Sequence, residues 1–337
     1  MKPVDRRDRL ERRRGAFAAS PNRMSPGGAS SRANRSIPAS LLTGLAGLAF
    51  VTLLLTGFAA PASAMLIETS IKVPVAVADR FGKRVSREVV VELMHDEASP
   101  APRPLLLLLH GRATDAKGRA AVNDARYSDN ARWFAALGFL VAIPIRIGYG
   151  KTGGDDVEDT GACNRQDYEP AAQAIARQAE AVLERLRLGA DVANDRAVVV
   201  GLSFGSIGAM AMAARKPRGV QAVINFAGGG GGNGEERPGD PCDAETLRRI
   251  FGRYGETARI PTLWVYAQND RFFGTRRPRE WFDAFVGSGG IGEFALLPAH
   301  GDDGHVVFRT APETWRGRVV DFLRSNGFAT AGDYRPR

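Results

Sequence analysis

From residue 65 onward, short apolar runs alternate with longer segments that carry apolar residues at helical spacing. Met65–Val75 and Arg87–Met94 alternate apolar and polar positions, which predicts an antiparallel strand pair with one solvated face. Leu105–Leu109 is apolar throughout, the mark of a strand buried on both sides. Phe139–Ile145, Ala197–Gly201, Val220–Phe226, Thr262–Ala267 and Phe294–Leu297 read as further strands. Between them, Tyr127–Leu137 places Trp133, Phe134 and Leu137 on one stripe. Glu169–Leu186 does the same with Ile175, Ala179, Val182 and Leu186. Helices are also expected over Phe204–Ala214, Ala244–Tyr254, Pro278–Val286 and Pro312–Ser325, and a polar, glycine-rich loop over Gly148–Arg165. Alternation of this kind means an α/β fold with a mostly parallel central sheet, an antiparallel N-terminal strand pair and helices on both faces. With no internal repeat and no long linker, residues 65–337 are expected to form a single domain.

The residues before this pattern differ from it. Residues 41–60 form a long apolar run without a charge, arginines precede it, and Ala62-Ser63-Ala64 follows with small residues at the spacing of a signal peptidase site. The expectation is an export leader over residues 1–64, cleaved after Ala64, and a secreted or periplasmic product. An uncleaved leader would instead anchor the protein in the membrane. Translation from Met24 would shorten the leader. The chain has 337 residues and a formal charge of +9, a balance that raises nucleic-acid binding as a candidate. Ten basic and three acidic residues fall within the first 64, which leaves the remainder at +2. A nearly neutral body gives no electrostatic footprint for nucleic acid, and none is expected as a partner.

Candidate chemistry centres on Gly201-Leu202-Ser203-Phe204-Gly205, where a strand ends and an Ala/Met-rich helix begins. This G-x-S-x-G pattern is a nucleophile elbow: the turn is so tight that only small neighbours fit, and it lifts the serine to a helix N-terminus. A serine hydroxyl needs a base. The chain has four histidines: His95, His110, His300 and His305. Chain order Ser, acid, His leaves His300 and His305. His305 is preferred because Val306-Val307-Phe308 can fix its loop against the body. Asp270, just past the Thr262–Ala267 strand, lies at the sheet edge where catalytic groups collect and is the candidate acid. The competing readings are a plain Asn-Asp turn at 269–270 and a metal site built from His300, Asp302, Asp303 and His305. His110 is expected to be packed and hydrogen-bonded.

Oxyanion donors are expected at the backbone N–H groups of Phe204 and Arg112, the latter in the loop after Leu105–Leu109. Gly228–Gly232 lacks the lysine of a phosphate loop and reads as a flexible loop near the site. Cys163 and Cys242 are the only cysteines; in an oxidising compartment they would pair, and the alternative is two free thiols. A bridge would tie the 148–165 and 228–243 loops together.

LLLLLHGRA, VVVGLSFGS, GVQAVINFAGG, IPTLWVYAQNDRFF and GDDGHVVF, in that order, resemble the α/β-hydrolase superfamily and, within it, the dienelactone-hydrolase-like branch. The resemblance spans roughly residues 85–327. It implies an α/β-hydrolase fold with Ser203 as nucleophile, Asp270 as acid and His305 as base. Dienelactone hydrolases proper carry a cysteine nucleophile, so the serine here points to an esterase rather than a lactonase. The expected function is that of an exported serine hydrolase acting on a small-molecule carboxylic ester through an acyl-enzyme. It needs no cofactor and no metal, and has no stable membrane partner after cleavage. Two alternatives stand beside it. One is a serine peptidase resembling the prolyl-oligopeptidase catalytic domain, against which stands the count of roughly 40 residues ahead of the Leu105–Leu109 strand in the mature chain, too few for a propeller. The other is a non-catalytic hydrolase-fold binding protein.

Overall fold

Strands that are buried on both faces need a partner layer on each side, and the chain supplies both. The computed structural model describes residues 65–123 and 127–329; the leader and its cleavage site after Ala64 lie outside them. The strands are β1 (Leu66–Ala78), β2 (Arg84–Asp96), β3 (Arg103–Leu109), β4 (Leu140–Ile145), β5 (Val192–Leu202), β6 (Val220–Phe226), β7 (Thr262–Ala267) and β8 (Gly292–Leu297). They form one eight-stranded sheet in the order β1-β2-β4-β3-β5-β6-β7-β8. β1 and β2 pair antiparallel, β2 meets β4 antiparallel, and the six strands from β4 to β8 run parallel. This is the mixed sheet that the sequence pattern predicts.

Side-chain alternation decides what each face buries. Leu105, Leu107 and Leu109 of β3 enter a core shared with the helices α3 (Tyr168–Leu186), α4 (Phe204–Arg215), α5 (Ala244–Thr257) and α6 (Arg276–Gly287). Leu106 and Leu108 enter the opposite core, under α2 (Ser128–Ala136) and α8 (Pro312–Ser325). The continuous leucine run therefore records a strand with no solvated face. By contrast, β1 buries Val73, Val75 and Val77 and exposes the residues between them. No helix among the described residues is long and apolar enough to cross a membrane.

Two short helices were not signalled by periodicity. α1 (Ala116–Ala120) buries none of its residues and so carries no apolar stripe. A 3-10 turn at Gly304–Val306 runs into α7 (Val307–Thr310), where an apolar run alone was legible. β5 also starts earlier than expected, because Asn194 and Asp195 are exposed polar residues while Val192 already pairs with Arg103 of β3.

Register at the C-terminal edge sets up the site. Leu109 of β3 lies opposite Gly201 of β5, which lies opposite Asn225 of β6. The loops that follow these strands therefore emerge side by side. α4 fits tightly into this arrangement: a Cβ on Gly208 would stand 2.1 Å from Cγ2 and 2.4 Å from Cβ of Ile175 in α3. Gly208→Leu is therefore expected to lower the unfolding free energy by about 1–3 kcal/mol through overpacking. Urea unfolding checks this, and an unchanged midpoint would contradict it.

Candidate active site

The turn from β5 to α4 forces Ser203 to φ 50°, ψ −123°, a region that non-glycine residues avoid. Both flanking glycines are required by contact. A Cβ on Gly201 would sit 2.4 Å from Cα of Ser206, and one on Gly205 would sit 2.4 Å from the His110 carbonyl oxygen. The first lets the chain fold back on itself; the second lets α4 pass the end of β3. The strained residue is tied in place, with its N–H donating to the Phe226 carbonyl at 2.9 Å and its own carbonyl accepting from Ser206 N–H at 3.0 Å.

Ser203 Oγ lies 3.0 Å from Nε2 of His305. Nδ1 of the same ring lies 3.2 and 3.1 Å from the two carboxylate oxygens of Asp270. With the Nδ1 proton directed to Asp270, Nε2 is left as the acceptor for the serine proton. Oδ1 of Asp270 also accepts the backbone N–H groups of Phe272 (2.8 Å) and Phe273 (3.0 Å), and the residue is buried. Such an arrangement can move a proton from the hydroxyl to the imidazole while the carboxylate stabilises the imidazolium that forms. The structure thus brings His305 and Asp270 to Ser203. The imidazole at Ser203 and Asp270 is that of His305, while the His300 backbone N–H is bound by Asn269 Oδ1 at 2.9 Å. His95 lies on β2, opposite Ile67. Among the described residues no group of three His, Cys, Asp or Glu side chains is placed to hold a metal ion.

Several positioning groups were not legible in the sequence. The His305 ring stacks on Phe272 at 4.1 Å and meets Phe273 edge-on at 5.2 Å. Oδ1 of Asp303 accepts both His305 N–H and Arg271 N–H at 2.9 Å, clamping the histidine loop to the loop after β7. Asn269 adds a second clasp, donating to the carbonyls of His300 (3.2 Å) and Gly301 (2.9 Å). The apolar run does what its composition suggested: Val307 and Phe308 are buried in the core beneath.

The loop after β3 lies against the serine, so that a Cβ on Gly111 would be 3.3 Å from the Ser203 Cβ. Its conformation is held by a buried ionic cluster. Arg146, wholly buried, pairs with Glu158 at 2.5 Å and donates to the His110 carbonyl at 2.5 Å. Its backbone N–H donates to Nε2 of His110 at 3.2 Å, while Nδ1 of His110 lies 2.8 Å from the Gly111 carbonyl. His110 is therefore a packed, hydrogen-bonded residue, as expected. Tyr149 donates to Glu158 at 2.7 Å; burial, with the Glu158 charge next, pushes its phenol pKa up and keeps it a donor. Arg112 forms two 2.7 Å hydrogen bonds to Asp156. Burial opposes the charge on both partners, but their hydrogen bond and the surrounding opposite charges together outweigh it, raising the Arg112 pKa and lowering that of Asp156. Arg112 lines the space beside Ser203 while its side chain is engaged by Asp156. Phe204, at the first turn of α4, has an N–H with no intrahelical acceptor.

In the glycine-rich segment, Gly228–Gly230 is buried, and its neighbours leave no room for a side chain. A Cβ on Gly228 would meet Asn225 Oδ1 at 2.0 Å, and one on Gly230 would meet Tyr168 at 2.6 Å. Tyr266 secures the segment by donating to the Gly228 carbonyl at 2.7 Å. A disulfide joins Cys163 to Cys242 across a separation of 79 residues, worth about 4 kcal/mol in the chain-entropy account. Tyr168 donates to the Cys242 carbonyl at 2.6 Å beside it.

Two clefts meet at Ser203. One of about 190 Å³ is lined by His305, Leu202, Phe226, Val306 and Phe308 among others, and the second, of about 690 Å³, by Phe204, the Gly229–Gly234 segment and the disulfide-linked loops. Because Glu158 is the only acidic partner of the buried Arg146 guanidinium among the described residues, Glu158→Gln should cost about 3–5 kcal/mol of stability. Urea unfolding reads this directly, and a loss below about 1 kcal/mol would contradict the assignment.

No curated protein sequence matches the chain. Among solved structures, a predicted CIB-like hydrolase from Thermoplasma acidophilum superimposes with a TM-score of 0.51 at 17% identity, covering 77% of this chain and 100% of that one. A cold-adapted esterase from an Arctic intertidal metagenomic library gives 0.51 at 17% identity, covering 77% of this chain and 94% of its own. The acylaminoacyl peptidase of Pyrococcus horikoshii gives 0.50 at 14% identity, covering 79% of this chain and 43% of its own. These likenesses establish the α/β-hydrolase fold. Residues 114–284, half of the chain, match the dienelactone hydrolase family, and the chain belongs to that family of hydrolases.

Proposed function

We propose that this hydrolase is an exported serine esterase that cleaves carboxylic esters through an acyl-enzyme. The observation that carries the reading is the 3.0 Å contact between Ser203 Oγ and His305 Nε2, with Asp270 behind the ring. In this account Ser203 attacks the ester carbonyl as His305 takes its proton. The N–H groups of Phe204 and Arg112 bind the oxyanion, and Asp270 stabilises the imidazolium. His305 then protonates the departing alcohol. Water, deprotonated by His305, attacks the acyl-enzyme, and the acid leaves. Export rests on the leader over residues 1–64, and the Cys163–Cys242 bridge is compatible with an oxidising compartment.

A peptidase is the second reading, supported by the fold shared with the acylaminoacyl peptidase. Turnover of short aminoacyl amides faster than of matched esters would favour it. For the esterase reading, Ser203→Ala should lower hydrolysis of p-nitrophenyl acetate and butyrate by roughly a thousandfold or more while circular dichroism stays unchanged. Turnover within a few-fold of the parent enzyme would remove Ser203 from the chemistry.

A further inference from the structure

The two clefts at Ser203 differ in what they can hold, and the position of His305 decides which fragment each receives. Resting on the esterase reading above, we propose that the substrates are esters of a compact apolar alcohol with a larger, polar acid. The alcohol occupies the cleft that His305 lines, and the acyl group occupies the cleft along the glycine-rich segment.

The chemistry fixes the assignment. In the tetrahedral intermediate the former carbonyl carbon bears Ser203 Oγ, the oxyanion, the alcohol oxygen and the acyl chain. The oxyanion faces the Phe204 and Arg112 N–H groups. The bond that breaks joins that carbon to the alcohol oxygen, and the electron pair leaves with the oxygen. The proton that His305 took from Ser203 must reach that oxygen, so the alcohol has to lie on the imidazole side. Water then supplies the second oxygen of the acid, and its proton returns through His305 to Ser203 Oγ.

His305 lines the smaller cleft and not the larger one. At about 190 Å³ the smaller cleft falls below the usual range for ligand pockets. Leu202, Phe226, Val306 and Phe308 give it apolar lining, joined by Val122 and Tyr127, with the exposed Arg309 also on its border. It suits a short or aromatic alcohol. The larger cleft, about 690 Å³, is bordered by both proposed oxyanion donors and by Thr114, Asp159, Gln166, Asn233 and Arg237. Its floor is the glycine segment, where the absence of side chains brings the backbone close to the ligand space. The Cys163–Cys242 bridge fixes its two walls relative to each other. Ser203, Arg112 and Phe272 border both clefts, which places the scissile bond on the divide.

Two ester series test this. In one, N-acetylglutamine is esterified with ethanol, hexanol and decanol; in the other, ethanol is esterified with acetic, decanoic and N-acetylglutamic acid monoamide (N-acetylglutamine). kcat/KM should fall at least tenfold from the ethyl to the decyl ester of N-acetylglutamine, and ethyl N-acetylglutaminate should exceed ethyl decanoate by roughly tenfold or more. Val306→Ala, which widens only the smaller cleft, should raise the hexyl-to-ethyl ratio several-fold and leave the acyl series unchanged. Equal tolerance in both series, preference for the decyl over the ethyl ester of N-acetylglutamine or for ethyl decanoate over ethyl N-acetylglutaminate, or a Val306→Ala effect confined to the acyl series overturns the assignment while the esterase reading stands. Absence of turnover for every ester, together with no labelling by a fluorophosphonate, overturns the esterase reading itself.

Discussion

Everything in the site depends on holding Ser203 in a backbone conformation that its own side chain disfavours. A residue at φ 50° costs of order 1–3 kcal/mol and persists only where its surroundings over-determine it. Here β5 fixes one side through pairing with β3 and β6, and α4 fixes the other through packing on α3. Gly201 and Gly205 remove the two Cβ atoms that would otherwise collide with Ser206 and with the end of β3. The outcome is a hydroxyl at the head of a helix, on the edge of a rigid sheet, where a developing negative charge is favoured.

Around that point, the other groups arrive from loops far apart in the chain, and each loop is secured by a different interaction. The loop after β7 carries Asp270, whose carboxylate accepts the N–H groups of Phe272 and Phe273. The histidine loop is pinned from above by Asp303 and from below by Val307 and Phe308. The loop after β3 rests on the Arg146–Glu158 pair, whose excluded position makes a missing partner expensive. The glycine segment is packed against Tyr168, Trp281 and Phe273. None of these contacts touches the reacting atoms directly except through the residue it holds, yet they set the geometry at which a proton can pass between Ser203 and His305.

Much of the fold was legible because it is periodic. β6, β7 and α8 match their sequence-predicted limits residue for residue, since each is a clean apolar run or stripe closed by Pro, Gly or Asn. Ser203, Asp270 and His305 were legible because each sits next to such an element. The supporting groups were not. Asp303 binds Arg271 across 32 residues and Arg112 binds Asp156 across 44, and no local pattern encodes those meetings. The glycine run was read only as a flexible loop near the site; the close approach of Asn225, Trp281 and Tyr168 that excludes side chains there involves partners distant in the chain or in another element. α1 and the 304–310 turn escaped notice because five- and four-residue helices do not complete enough turns to show a period.

The central claim is that Ser203 is an activated nucleophile, and covalent labelling tests it most directly. A fluorophosphonate added to the folded protein should attach once per chain, on the peptide containing Ser203, as read by intact mass and peptide mapping. His305→Ala should slow that labelling by at least a hundredfold, because the serine loses its base. Failure to label, attachment elsewhere, or an undiminished rate without His305 would contradict the account.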